Sequence, residues 1–453
     1  MTETATLPPL LLKTPARAVF GLGLPLAAAT LFQAAFNLSE VWIFGQVGDA
    51  GASLAGAAVS DMLTAIFALL ANGLGNAAVA QISRATGAGD HATAAAAARQ
   101  ALVIGVILSL ASAVVGLLAT PLGEAFMHPH AREQGTAFLR IMALGGFGTV
   151  FMVVNIGILR ARGDALRPLI LIACVSIATL FLEAAFVLGL FGLEKTGIEA
   201  AAWITVILRG LTAVWGVWMI SRKLPLRPRP GERIIDPVLL RGQIRLGLVS
   251  AFQQSVRVLG MLTLVALATA RLGAGPAAAL FTALTLWSKV DIPMIMGAFA
   301  WGGGTAPVVG MALGAGRPAY ARRAAWSGAL LAACYALINT VLVVVAGHAL
   351  ITIFVPDDPK VIAEATNLLM HVAPCYALMA FGIATSFAFN GAGDMKRPLY
   401  WDLAILVGVQ GGVAFFLGSS EVLGVEGFYI ALTISGVLQG LVPGFMLARK
   451  KWV

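Results

Sequence analysis

The sequence predicts an all-α integral membrane protein, with twelve transmembrane helices in two parallel-repeat six-helix lobes around a central cavity. Three observations carry that prediction. First, 59% of the 453 residues are hydrophobic and only 11% charged, with mean hydropathy +0.90. Soluble domains carry roughly 25% charged residues, so this chain has too few to coat a water-facing surface. Second, apolar runs of about 20 residues, the length that crosses a bilayer as a helix, recur along the whole chain. Third, short motifs recur between its two halves. The 51 glycines suit membrane helices whose backbones approach closely.

Spans are expected over 18–44, 51–82, 97–120, 135–159, 168–192, 198–221, 246–270, 276–311, 324–355, 362–389, 399–419 and 424–447. The second and eighth are long enough to tilt strongly or to contain a break. Residues 1–17 are polar, and the apolar run after them is too long for the h-region of a cleavable signal. The first span is therefore expected to be its own insertion signal. The domains read as an N-terminal six-helix lobe over 1–221, a basic, Pro-rich cytoplasmic linker over 222–245, and a C-terminal six-helix lobe over 246–453.

Net charge is +9, but the charges sit in loops rather than on one face, which excludes a nucleic-acid partner and leaves the lipid bilayer. With the N-terminus inside, the cytoplasmic segments hold 22 of the 30 Lys and Arg. The external loops hold four: Arg132, Lys195, Arg271 and Lys360. Four lie within spans: Arg140, Arg209, Arg257 and Lys289. The positive-inside rule thus places both termini in the cytoplasm.

The repeat is read from matched motifs. Leu22-Gly23-Leu24 recurs as Leu246-Gly247-Leu248, and Gly87-Ala88-Gly89-Asp90 as Gly314-Ala315-Gly316-Arg317. Arg162-Gly163-Asp164 with Arg167-Pro168 recurs as Ala392-Gly393-Asp394 with Arg397-Pro398. The offsets, 22 to 246, 87 to 314 and 163 to 393, are 224, 227 and 230 residues. Six spans per half is even, so both halves share one orientation, as in transporters that rock about a central site. Gly-Asp-x-x-x-Pro supplies a turn, an N-cap candidate and a proline for the next helix's first turn.

The first span holds Pro25, which removes a backbone hydrogen bond and offers a kink, and Glu40. Intramembrane carboxylates are costly and face an interior. By the 1.5 Å rise per residue, Glu40 lies roughly 6 Å below the outer end of its span, and Glu183 and Asp61 roughly 14 and 15 Å below theirs. Arg209 lies roughly 16 Å down, level with Glu183 and Asp61, and is expected to pair with one of them. That leaves Glu40 as the titrating group; its plain alternative is a residue reaching interfacial water. Arg257, Lys289 and Asp291, near mid-membrane in the second half, read as a structural charge cluster. Asp402 reads as interfacial. The three cysteines read as small buried hydrophobes, and Trp42, Trp203, Trp326, Trp401 and Trp452 as an interfacial belt. His128-Pro129-His130, without further ligands, makes a poor metal site.

These residues resemble the multidrug and toxic compound extrusion (MATE) family. The family's first helix carries a proline and Asn-x-x-Asp; here stand Pro25 and Asn37-Leu38-Ser39-Glu40. Val79-Ala80-Gln81 with Gly87-Ala88-Gly89-Asp90 resembles its end of helix two. Leu159-Arg160-Ala161-Arg162-Gly163-Asp164 and Phe389-Asn390-Gly391-Ala392-Gly393-Asp394 resemble its paired Gly-Asp loops. Its Asn-x-x-x-Asp of helix five appears as Thr179-Leu180-Phe181-Leu182-Glu183, and Thr205 matches its threonine of helix six. Glu stands for Asp at 40 and 183, and Thr179 for Asn, so a hydrogen-bond network would be rebuilt. Carboxylates in the first half make the pattern closer to the DinF-type branch.

The resemblance implies no enzyme and no cofactor, but a monomeric secondary exporter of amphipathic organic cations in a bacterial inner membrane. The coupling ion is H⁺, or Na⁺ at Glu40 and Glu183. The cation-coupling residues the resemblance implies are Glu40, Glu183, Asn37, Thr179 and Thr205, with Pro25 as the helix-bending point; their depth in the spans adds Asp61, which helix two could instead use to hold a neighbour, and Arg209 as charge partner. The alternative is a flippase of lipid-linked saccharides from the same wider superfamily. An intramembrane enzyme would need a clustered nucleophile and base or HExxH-type ligands, and the spans hold neither.

Overall fold

A computed structural model describes residues 7–46, 50–190, 196–228, 232–354, 359–419 and 421–452. Lys195 lies outside the described residues. The chain forms helices α1 (Pro15–Phe44), α2 (Ala50–Gly87), α3 (His91–Leu117), α4 (Ala119–Phe126), α5 (Pro129–Leu144), α6 (Gly146–Ala161), α7 (Leu166–Val187) and α8 (Ile198–Ser221). These are followed by α9 (Pro237–Leu272), α10 (Ala274–Gly314), α11 (Pro318–Phe354), α12 (Pro359–Val372) and α13 (Tyr376–Gly391). The last are α14 (Lys396–Leu403), a π-helical turn (Ala404–Val409), α15 (Gln410–Leu417) and α16 (Val425–Arg449).

Among the described residues, eleven spans are long and apolar enough to cross a membrane, and the pair α5–α6, bent by 47°, makes up the twelfth. The protein is therefore a multi-pass helical membrane protein, with the number of spans expected. The bend falls at Gly145-Gly146, where two adjacent glycines leave the backbone free to turn. α2 and α10 do not break. With 38 and 41 residues they run about 57 and 62 Å, and α10 stays helical through Pro293 and Pro307. α1 likewise runs unbroken through Pro25.

Two compact units divide the chain. One is Ala28–Ala251; the other joins Met1–Ala27 to Phe252–Val453. Both boundaries fall inside helices, two residues after Pro25 in α1 and at Ala251 in α9. The stretch expected as a linker over 222–245 is part helix, because α9 begins at Pro237. Ahead of it, Arg99 of α3 pairs with Glu232 at 2.9 Å and Gln100 donates to the Ile234 carbonyl at 3.0 Å. Two polar contacts thus fasten this part of the linker to α3.

In the Ala28–Ala251 unit, α2 packs on α3, α5 and α6, and α8 on α6 and α7. The α6–α8 contact is a backbone approach: a Cβ added at Gly148 would lie 2.7 Å from the Gly210 nitrogen and 2.8 Å from the Arg209 carbonyl carbon. A larger residue at 148 would push α8, and with it Arg209, outward. In the other unit, α10, α11 and α13 pack mutually and α16 covers α13.

The duplicated loops fold alike. Gly89 and Gly316, and likewise Gly163 and Gly393, all have positive φ, which glycine adopts without steric cost. In one unit Asp164 binds Arg167 and, at 3.1 Å, Lys223 after α8. In the other, Asp394 binds Arg397 at 3.4 Å and Lys450 after α16 at 3.0 Å. The two Gly-Asp loops therefore fasten the tails of α8 and α16.

Partial burial works to raise the pKa of Asp164, but the Arg167 backbone N–H and the Lys223 ammonium outweigh it and hold the carboxyl below its ordinary value. Burial lowers that of Lys450 despite its contact with Asp394. A carboxyl with a lowered folded pKa adds stability that is present above its unfolded pKa and lost as pH falls through the folded value. Acidification below about pH 4 is therefore expected to lower the melting temperature of the wild type. Asp164→Asn should be less stable at neutral pH and show a flatter acid limb. An unchanged acid limb in thermal melts of the variant would refute this role.

Three readings are corrected here. Cys174 and Cys334 are exposed and only Cys375 is buried. Trp401 is buried edge-on against Phe389, with ring centroids 5.1 Å apart, so it belongs to the core rather than to a belt. Asp402 is buried and accepts from Gln253 Nε2 at 2.9 Å, so helix packing, and not an interfacial place alone, accounts for it.

Candidate functional site

The Ala28–Ala251 unit gathers the first-half acids. Glu40 is half-buried near the end of α1, Glu183 is on α7, and Asp61 is on α2. Glu40 lies within electrostatic range of Asp61, Glu183 and Arg209. Arg209 on α8 reaches all three acids electrostatically.

Glu183 is 0% exposed. Its Oε1 accepts from Thr205 Oγ1 at 3.1 Å, while Oε2 is buried with no hydrogen-bond partner. A buried acceptor left this way costs about 1–3 kcal/mol, more if charged; a proton would remove the charge, and a small cation or an incoming donor would satisfy the oxygen. Thr205, one helical turn before Arg209 on α8, is positioned with it by the same helix face.

The Arg209 pairing differs from expectation. Among the described residues no ion pair joins it to Glu183 or Asp61; its Nη1 donates instead to Thr149 Oγ1 of α6 at 3.2 Å. Asp61, Thr149 and Arg209 line a cavity of about 140 Å³ together with Ser112 of α3. The guanidinium is thus held to one side by a neutral hydroxyl and balances three carboxylates at a distance. Thr149 was not legible as a site residue. The signal available was its neighbour Gly148, whose lack of a side chain lets α8 come close enough for the contact.

Two expected members do not join the cluster. Thr179 is buried, yet its hydroxyl donates to the Val175 carbonyl of its own helix at 2.7 Å, as hydroxyls in membrane helices commonly do. The network rebuilt around Thr179 is therefore replaced by the single bond from Thr205. Asn37 is exposed and its Oδ1 accepts from Gln33 at 3.0 Å. Pro25 stands about four turns before Glu40 along α1.

In the other unit, Arg257, Asp291 and Asp402 form a second intramembrane group, and Arg257 interacts electrostatically with both acids. Lys289 is exposed on a different face of α10 from buried Asp291, so the expected three-residue cluster loses Lys289 and gains Asp402. Residues 289 and 291, two apart on a helix, cannot share a face.

The chain matches the MatE family model over residues 25–184 and 249–414. It is 26% identical over 462 residues to the multidrug resistance protein NorM of Burkholderia vietnamiensis, covering 95% of this chain and 93% of that one. It is 21% identical over 440 residues to the probable multidrug resistance protein NorM of Thermotoga maritima, covering 95% and 92%. In fold it is similar to a MOP superfamily transporter from Pyrococcus furiosus, for which reverse polarity of the binding pocket suggests a different function. There the TM-score is 0.88 at 22% identity, covering 99% of this chain and 100% of that one. A multidrug resistance MATE family transporter in an outward-facing conformation gives 0.87 at 22% identity, with 98% of each chain covered.

Proposed function

Since this chain belongs to the MATE family of membrane transporters, we propose that it is a secondary active exporter of amphipathic organic cations, driven by entry of H⁺ or Na⁺. The observation that carries this reading is the imbalance in the Ala28–Ala251 unit. Three carboxylates stand within electrostatic range of one guanidinium, in a setting where unpaired charge is costly. Such a site attracts cations, and either a coupling ion or a cationic substrate satisfies it.

In this reading Glu40 is the coupling carboxylate. An entering proton or Na⁺ neutralises it, removes its attraction for the bound organic cation, and relaxes the field acting on Glu183 and Arg209. α1 then bends at Pro25, where the missing backbone hydrogen bond makes bending least costly. Glu183, with one oxygen held by Thr205 and the other unpartnered, is the second position for the ion. Asp61 tunes the field through Arg209. Placement in the DinF-type branch rests on these first-half carboxylates. The positive-inside count supports cytoplasmic termini in a bacterial inner membrane, and the transporter is read as a monomer. The relatives above are named as multidrug resistance proteins, which does not favour the flippase alternative.

The test uses purified protein in proteoliposomes loaded with a cationic dye, with ΔpH and ΔNa⁺ imposed separately. Dye movement driven by one of the two gradients is expected, and it also identifies the ion. Tight binding of a polyprenyl pyrophosphate with no dye movement under either gradient would overturn the reading.

A further inference from the structure

Within the unit formed by Met1–Ala27 and Phe252–Val453, the first turns of α1 and α11 lie side by side. As spans one and nine, both odd, these helices begin on the same side of the membrane. Between their starts lies a groove of about 690 Å³, lined by Thr14, Pro15 and Ala16 and by one face of α11. We propose that this groove binds one net-anionic phospholipid of the surrounding leaflet, its phosphate held by Arg322 and Arg323. The positive-inside count makes that leaflet the cytoplasmic one. The proposal does not rest on the transport reading.

Charge is the first argument. Arg322 and Arg323 are exposed, and among the described residues neither has an ion-pair or hydrogen-bond partner. Lys13 and Arg17, on either side of the α1 start, are exposed and likewise unpaired among the described residues. Neither helix has an acid in its first turn, and α11 has none along its whole length. Four cations thus surround the groove with no carboxylate on either helix start to balance them. Arginine pairs with phosphate through two parallel N–H donors, a geometry that favours it over other cations.

The backbone adds donors of the same sign. Pro15 and Pro318 open their helices, and the N–H groups of Ala16 and Ala319, next along, have no acceptor in their own helix. Both residues line the groove. Its walls are fixed: the Tyr320 hydroxyl donates to the Lys13 carbonyl at 2.8 Å, and Arg317 Nη1 to the Leu11 carbonyl at 3.1 Å.

The pattern along α11 selects a lipid over a soluble anion. Its lining residues Ala319, Arg322, Arg323, Trp326, Ser327 and Leu330 recur at three- and four-residue steps and form one stripe. The stripe runs about 16 Å along the helix, from the arginines to Leu330, which is 53% exposed. Between them stands Trp326, half-buried and set edge-on to Phe381 with centroids 5.8 Å apart. Its indole N–H and the Ser327 hydroxyl have no partner among the described residues. Cation, polar donors and apolar surface therefore follow in the order of a lipid's phosphate, glycerol esters and acyl chain. A zwitterionic lipid would bring an ammonium towards four cations, so the net-anionic headgroup is the one that fits.

The probe is dioleoyl phosphatidylglycerol, titrated into the delipidated full chain in detergent and read by native mass spectrometry, with dioleoyl phosphatidylcholine for comparison. One phosphatidylglycerol is expected to bind at least about tenfold tighter than phosphatidylcholine. Arg322→Gln and Arg323→Gln should each reduce that preference by about three- to tenfold, and the double variant should abolish it. Arg241→Gln, which removes an exposed cation at the start of α9 on the same side, should keep wild-type affinity. Glycerol 3-phosphate should not displace the lipid. Should the double variant fail to fold in thermal melts, the single variants decide. Equal affinity for the two lipids, wild-type preference in folded arginine variants, or an equal loss in Arg241→Gln would overturn the site. Displacement by glycerol 3-phosphate at the lipid's own affinity would make the groove a site for a soluble phosphate ester and overturn it equally.

Discussion

Glu40→Gln is expected to reduce gradient-driven dye export by at least about tenfold, the effect of losing roughly 1.4 kcal/mol or more of coupling. The physical reason is that glutamine keeps the size and polarity of the side chain but can neither gain nor lose the charge. The field on Glu183 and Arg209 then no longer responds to the entering ion. Because Glu40 is half-buried and makes electrostatic contacts within its unit, its neutralisation should leave the thermal melt in detergent close to that of the wild type. Binding of the dye without a gradient should weaken less than transport does, since Asp61 and Glu183 still supply negative charge. If Glu40→Gln exports dye at the wild-type rate under ΔpH and ΔNa⁺, the switch is not Glu40.

Glu183→Gln carries the second large effect. Glu183 is 0% exposed and its Oε2 lacks a partner, so this position gains most from an arriving proton or cation. The amide removes that gain, while one amide oxygen can still accept from Thr205. Transport should fall by about ten- to a hundredfold, as for loss of a charge-assisted hydrogen bond. Thr205→Val is the companion variant: it leaves both Glu183 oxygens unpartnered, and about a tenfold loss is expected. A Glu183→Gln protein that melts like the wild type and still exports dye at full rate would reduce Glu183 to a packing residue.

Much of this arrangement was legible in the chain itself. The spans were readable because a bilayer imposes a length and a polarity on every crossing segment. Glu40, Asp61 and Glu183 stood out because charge in such a segment is expensive. The Gly-Asp loops were readable because a positive-φ glycine beside a capping carboxylate is a local requirement, met twice. The Lys223 and Lys450 clamps were not, since each closes over a distance of more than fifty residues.

The differences between expected and observed partners share one origin. Thr179 matched a motif position, but a hydroxyl in an apolar helix bonds its own backbone unless a nearer acceptor competes. Asp402 looked interfacial from its place along α14; only packing shows that α9 brings Gln253 and Arg257 to it. Arg209 stood level with two acids, yet the close Gly148 contact with α8 brings Thr149 within reach of one of its five donors.

By itself, the sequence determined that this is a twelve-span helical membrane protein with a repeated half and with acids inside spans one, two and five of its first half. Those properties follow from local chemistry: hydropathy over a helix length, loop charge, and glycine at forced turns. The tertiary structure alone decided which groups meet. It assigned Thr205 to Glu183, Thr149 to Arg209 and Gln253 to Asp402, and it left single oxygens of Glu183, Asp291 and Gln439 without partners. Hydrogen bonds and charge balance between helices depend on rotation and approach of whole segments. Those are set by close contacts between small residues that no spacing along the chain records.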